Sequence, residues 1–207
     1  MSHSLGTDRL ANDLRDTSAL LGSRVCHDLI SPMGAISNGL ELLTMSGLPQ
    51  SPELKLIEES IDNANARLKF FRVAFGASSG GQMLARPEVL KLLEGVYGGG
   101  RVKVKWDSLT DPTRTEAKLA FLAILCMEST LPQGGQIGIA SDRGEWQFHA
   151  YGPKIKFEAD TWAAVKSKGA GMAGSSEVHF ALLGEAFAEV DRPAQVGHSD
   201  SAVSLRY

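Results

Sequence analysis

Leu54, Ile57, Ile61, Ala64, Leu68, Phe71 and Phe75 recur at alternating steps of three and four. A 3.5-residue period is the seam of helices packed in a coiled-coil manner. A second stripe precedes it: Val25, Leu29, Met33, Ile36, Leu40 and Leu43, extended backward by Leu21 and Leu14. Between the two stands Ser46-Gly47-Leu48-Pro49-Gln50-Ser51-Pro52. Glycine ends the first helix there, and Ser51-Pro52-Glu53 caps the next with proline at its first helical position. The chain to about Phe75 is thus predicted to be an antiparallel helical hairpin, its two stripes facing each other. Such a hairpin buries little alone, and Leu20, Ile30 and Leu42 lie off its seam. A two-fold homodimer, in which two hairpins form a four-helix bundle, would cover them. Packing of the hairpin on the remainder of its own chain is the alternative.

Ala77 to Gln82, ASSGGQ, reads as a short hinge. It separates a hairpin unit, residues 1–76, from a second unit, residues 82–207, whose elements follow an α+β order. Pro87–Tyr97 is a helix stopped by three glycines, Arg101–Trp106 alternates like a strand, and Thr115–Ser129 is a strongly apolar helix. Gln136–Ser141 and Trp146–Tyr151 read as strands joined at Asp142-Arg143-Gly144-Glu145. A helix over roughly Val178–Val190 precedes two closing strands with Gly197-His198-Ser199-Asp200 between them. This order fits a mixed sheet with helices on one face.

Charge and composition exclude several function classes. The net charge of the 207 residues is −3 and no dense Lys/Arg run occurs, which argues against nucleic acid as a partner. No long apolar run and no signal-like leader are visible, so a cytoplasmic protein without a membrane segment is expected. Cys26 and Cys126 sit in apolar helical surroundings and read as reduced thiols. The five histidines show no metal-ligand spacing, so no metal of its own is expected.

The segment Arg24–Gly34, RVCHDLISPMG, places His27 beside Asp28 and five residues before Pro32. At 100° per residue His27 lies about 200° from Val25, pointing away from the seam. Arg24, Ser23, Ser31 and Gly34 share that outer side. The predicted site is an exposed imidazole flanked by small residues, with Asp28 fixing its tautomer and leaving the other ring nitrogen as nucleophile. Pro32 has no N–H for the Asp28 carbonyl and is expected to bend the helix without ending it, since the apolar stripe continues in register.

His27-Asp28-Leu29-Ile30-Ser31-Pro32 resembles the phosphoacceptor box of two-component histidine kinases, with Ile30 where arginine is usual. The wider stretch SRVCHDLISPMGAISNGLELL more closely resembles histidine phosphotransferases of the alphaproteobacterial ChpT type. That resemblance implies a dimer of helical hairpins followed by a degenerate α/β-sandwich domain of the kinase ATP-binding (Bergerat) type. It implies a phosphorelay between response-regulator receivers, including that of a hybrid histidine kinase. His27 would be the phosphoacceptor, Asp28 its orienting group and Ser31 a support. Arg24, Ile30 and Gly34 would form the receiver docking surface, with Ile30 an exposed apolar anchor. No cofactor is implied, Mg²⁺ being supplied by the receiver. Non-catalytic scaffolding of kinases or receivers, and ATP-dependent kinase activity, are the competing readings.

The kinase reading fails on named positions. Aligned on Leu131-Pro132-Gln133-Gly134-Gly135, the metal-holding Asn of kinases falls at Cys126 and the following Lys at Ser129. A thiol is the wrong ligand class for a hard cation. The Asp that contacts adenine falls at Ala150, in Ala150-Tyr151-Gly152-Pro153-Lys154. Gly169-Ala170-Gly171-Met172-Ala173-Gly174 satisfies a dinucleotide glycine pattern but follows a predicted helix, not the strand that such a motif requires.

Overall fold

The computed structural model describes residues 3–47, 49–77, 81–142, 144–167 and 174–207, the side chains of 3–18 and of Ser175 excepted. The fold is a helical hairpin followed by an α/β domain, in two compact units, Met1–Ser79 and Gly80–Tyr207.

The hairpin unit pairs α1, His3–Met45, with α2, Pro52–Phe75. Pro32 lies inside α1, which runs on helically to either side of it. Gly47 takes a left-handed φ of 87° just past the end of α1. Ser51 caps α2, its hydroxyl accepting from the Leu54 amide at 3.2 Å. Two pairs set the register: the Thr44 hydroxyl donates to the Glu58 carboxylate at 3.1 Å, and a Cβ at Gly22 would lie 3.1 Å from the carbonyl oxygen of Phe75.

The seam of α1 differs from the expected one. Cys26 is buried, and Ile30, Met33, Ser37, Leu40 and Thr44 are half-buried. Val25 and Ile36 remain 48% and 52% exposed, and Leu21, Leu29 and Leu43 are exposed with them. The apolar residues of α1 form two adjacent rows, and a single partner helix covers only one. The row against α2 keeps Met33 and Leu40 of the expected stripe and sets Cys26 with them, while Val25, Leu29, Ile36 and Leu43 fall on the uncovered row. Leu14 lies outside the described side chains. On α2, Leu54 and Ile61 are buried, whereas Leu56 and Ile57 stay exposed.

The second unit contains α3 (Arg86–Tyr97), β1 (Val102–Trp106), α4 (Arg114–Ser129), β2 (Gly135–Asp142), β3 (Glu145–Tyr151), α5 (Ala159–Lys166), α6 (Val178–Glu189), β4 (Gln195–His198) and β5 (Ala202–Arg206). The five strands form one mixed sheet in the order β1-β2-β3-β5-β4, with β1 and β2 parallel and the other pairs antiparallel. Ile137, Ile139, Trp146, Phe148, Val203 and Leu205 point to the buried face. Lys103, Lys105, Gln147 and Arg206 alternate with such residues and are exposed. Helix α4 contacts the sheet and is buried nearly all round, its start fixed by a reciprocal Thr113–Glu116 capping box. Asp142 pairs with Glu145 across a two-residue turn in which Gly144 has φ 85°; Arg143 lies outside the described residues. The final turn is shorter than expected: Gly197 and His198 belong to β4 and pair with Ser204 and Val203. The hinge at Ala77–Gln82 is described only in part, residues 78–80 being outside it.

His179 of α6 packs on Phe180, and its Nε2 is buried without a hydrogen-bond partner among the described residues. Burial pushes its pKa below the ordinary imidazole value. The folded state therefore holds fewer protons on this ring than the unfolded chain once the pH falls through about 6.5. Stability present above that pH should be lost below it. Between about pH 7.5 and about pH 5.5 the urea midpoint of the parental chain should fall more than that of His179→Phe. Equal slopes would show that His179 is not the group responsible.

Candidate functional site

Helical spacing alone places three side chains together on α1. Arg24 and Asp28 are one turn apart, and the Arg24 Nε donates to Asp28 Oδ2 at 2.7 Å. The other carboxylate oxygen, Oδ1, lies 3.1 Å from His27 Nδ1. Arg24, His27 and Asp28 have side chains 74%, 69% and 49% exposed. The hydrogen bonds from His27, and then from Arg24, hold the Asp28 carboxyl below its ordinary value, so Asp28 is an acceptor throughout the neutral range. Facing an ionised acceptor, Nδ1 is the nitrogen that carries the proton. Nε2 then keeps its lone pair, on a side chain that is mostly exposed. The neighbouring Cys26 is no rival nucleophile, since burial pushes its thiol up.

The second unit holds Cys126, Ser129 and Ala150, the positions singled out by the kinase resemblance. Cys126 is fully buried in α4, its thiol pushed well above the ordinary value by burial. The Ser129 hydroxyl donates to the Cys126 carbonyl at 2.7 Å within the same helix. Ala150 is buried next to the end of β3, between Ile137 and Val203. Nearby lies a cleft of about 210 Å³ lined by Ser129, Lys156, Glu158, Thr161, Trp162 and His179. The Lys156 and Glu158 side chains pair at 2.8 Å in it. Of the glycine-rich run Gly169–Gly174, only Gly174 is described. Among the described residues no three His, Cys, Asp or Glu side chains come together to hold a metal. No described helix is long and apolar enough to cross a membrane.

Residues 86–202, more than half of the chain, match the family described as histidine phosphotransferase C-terminal domain. The chain belongs to this family. It is 36% identical over 126 residues to the protein phosphotransferase ChpT of Brucella abortus (strain 2308), a match over 60% of each protein. The match thus spans about three fifths of the length of that curated relative. A bacterial phosphotransferase of known structure superposes with a TM-score of 0.63 at 23% identity, covering 89% of this chain and 91% of that one, and shares the fold. The Acinetobacter baumannii histidine kinase AdeS aligns at a TM-score of 0.44 and 12% identity, over 87% and 95% of the two chains.

For this member of the histidine phosphotransferase family, the residues expected around His27 do not all face the same way. Ser31 is exposed beside His27. Gly34 is half-buried, yet an added Cβ there would meet nothing within 4 Å. One expectation needs correction. Ile30 is half-buried, because it follows the buried Cys26 by one turn on the side that α2 covers, so only part of it is available as an anchor. Arg24 is exposed, with its Nε engaged by Asp28. Sequence reasoning also missed Arg72 of α2, whose charge reaches Cys26, the residue next to His27. The readable signal was the charge order along α2: no acidic residue follows Asp62 in it, whereas Arg67, Lys69 and Arg72 do.

Proposed function

We propose that this chain relays phosphoryl groups between response-regulator receiver domains through a phosphohistidine at His27. The observation that carries the reading is an exposed imidazole whose Nδ1 faces an ionised Asp28 at 3.1 Å, leaving Nε2 free. In the forward step Nε2 attacks the phosphorus of a receiver's aspartyl phosphate. The P–O bond breaks, the aspartate leaves as carboxylate, and a P–N bond forms. The imidazolium so created keeps its Nδ1 proton against the Asp28 carboxylate. A second receiver reverses the step and regenerates neutral His27. The receivers supply the acidic pocket and the Mg²⁺, so this chain needs no cofactor of its own, and proximity does most of the work. Arg24 steadies Asp28, Ser31 supports the site, and Gly34 with the uncovered part of Ile30 receives the partner backbone. The chain acts as a homodimer in the cytoplasm, its exposed apolar row buried between two hairpins.

ATP-dependent kinase activity is disfavoured by the buried Cys126 and Ala150, where kinases hold metal and adenine. The test is incubation of the full chain with a ³²P-labelled receiver phosphate, and separately with labelled ATP and Mg²⁺. Label should pass from the receiver in an acid-labile, alkali-stable linkage and should not come from ATP. In the same assay Gly34→Arg should slow transfer while leaving the fold intact, since the site has room for a Cβ. Self-labelling from ATP, or no transfer from any receiver, would overturn the proposal.

A further inference from the structure

The flank of α2 nearest His27 carries a charge that the histidine chemistry alone does not call for. Counting inward from the Thr44–Glu58 and Gly22–Phe75 pairs puts Phe71 and Arg72 level with His27. Arg72 stands one heptad beyond Asn65 and two beyond Glu58, on the row that meets α1. Lys69 is one turn earlier, on the outer side of that row. The flanks can be told apart by helix handedness. On α1 the contact row of Cys26 and Met33 has Leu29 and Ile36 on one side and His27 and Gly34 on the other. On the antiparallel α2, Ile57 and Ala64 fall on the apolar side, and Asp62 and Lys69 on the side of His27.

Lys69 and Arg72 are exposed, and neither makes an ion pair or side-chain hydrogen bond to a described residue. Arg67, on the opposite flank, differs in that its Nε donates to Asn63 at 3.2 Å. Among the described residues of the hairpin, the flank around His27 thus holds three cations, Arg24, Lys69 and Arg72, against the carboxylate of Asp28, in a chain whose net charge is −3. The alternative is that Arg72, in the last turn of α2, serves only the helix dipole. That accounts for neither Lys69 nor the switch of charge along the helix, from Glu53, Glu58, Glu59 and Asp62 to Arg67, Lys69 and Arg72.

We propose that Lys69 and Arg72 of α2, with Arg24 across the groove, form a cationic rim that draws the acidic pocket of a receiver domain onto His27. This rests on the phosphotransfer reading given above, in which the partner presents carboxylates around its own phosphorylated aspartate. Such a rim acts on encounter and orientation, and its effect is screened by salt.

The experiment uses the full chain and a phosphorylated receiver that labels it, with transfer rates measured against receiver concentration at low and high salt. Lys69→Glu with Arg72→Glu should lower kcat/KM about tenfold or more at low salt, mainly through KM, and the gap should narrow as salt rises. Lys69→Arg with Arg72→Lys should restore it. Labelling of His27 by potassium phosphoramidate, which has no acidic surface, separates docking from chemistry and should not follow the charge reversal. Circular dichroism checks that α2 survives. Transfer at the parental rate in the doubly reversed variant would overturn the proposal. So would a parallel fall in phosphoramidate labelling, which would make the cations part of the nucleophile's own environment. If no receiver labels the parental chain, the phosphotransfer reading itself fails and the rim with it.

Discussion

His27→Ala should bring labelling by a phosphorylated receiver down to background, because no other described nucleophile takes its place. Cys26 is buried with its thiol pKa raised by burial, and Ser31 loses with His27 the imidazole beside it. Asp28→Asn should leave a partly active protein, slower by about 10². The amide keeps the shape of the carboxylate, but its oxygen and its NH₂ serve either tautomer of His27, so Nδ1–H is no longer preferred. The neutral amide also withdraws the charge that would stand against the imidazolium formed during transfer. Arg24 loses the carboxylate it holds at 2.7 Å, so the whole trio loosens. Quench-flow transfer from one receiver to the three proteins gives the order parental, Asp28→Asn, His27→Ala. Parental rates for Asp28→Asn would mean that the tautomer is set by something other than this hydrogen bond. Retention of label by His27→Ala would place the phosphoacceptor elsewhere.

Val25→Glu together with Ile36→Glu should convert the proposed homodimer to a monomer. Both residues belong to a row with Leu21, Leu29 and Leu43 that α2 leaves exposed, each about half open or more. Burying one such side chain contributes about 1.5–3 kcal/mol, and two-fold symmetry repeats each gain across the interface. Placing four carboxylates there removes that gain and adds the cost of desolvating charge. Sedimentation velocity on the parental chain and the variant would read the change directly. The α1–α2 contact lies on the neighbouring row, so the helical content of the monomeric variant should hold. A parental chain that sediments as a monomer would refute the dimer and leave this apolar row to another partner.

The two stripes, their spacing and the capped turn at Ser51 depend on local periodicity and turn chemistry, and these fix the helices without reference to anything distant. The same holds for the strand alternation of Ile137 and Ile139 against Trp146 and Phe148, and for the two-residue turn between them. The Arg24–Asp28 and His27–Asp28 contacts also lie within one helical turn, so the helix period alone brings those groups together. Which apolar row of α1 meets α2 was not legible, because adjacent rows satisfy the same heptad and only the docked partner helix chooses between them. That choice moved Cys26 into the seam, left Val25 and Ile36 exposed, and turned Ile30 partly inward. It also brought Arg72 level with His27 across 45 residues of chain, a proximity set by the register of the hairpin and not by any local pattern. That Cys126 and Ala150 bring no hard-cation ligand and no base-contacting carboxylate was legible from residue chemistry alone. The depth at which both are buried, in the last turn of α4 and next to the end of β3, was decided by the packing of helix on sheet.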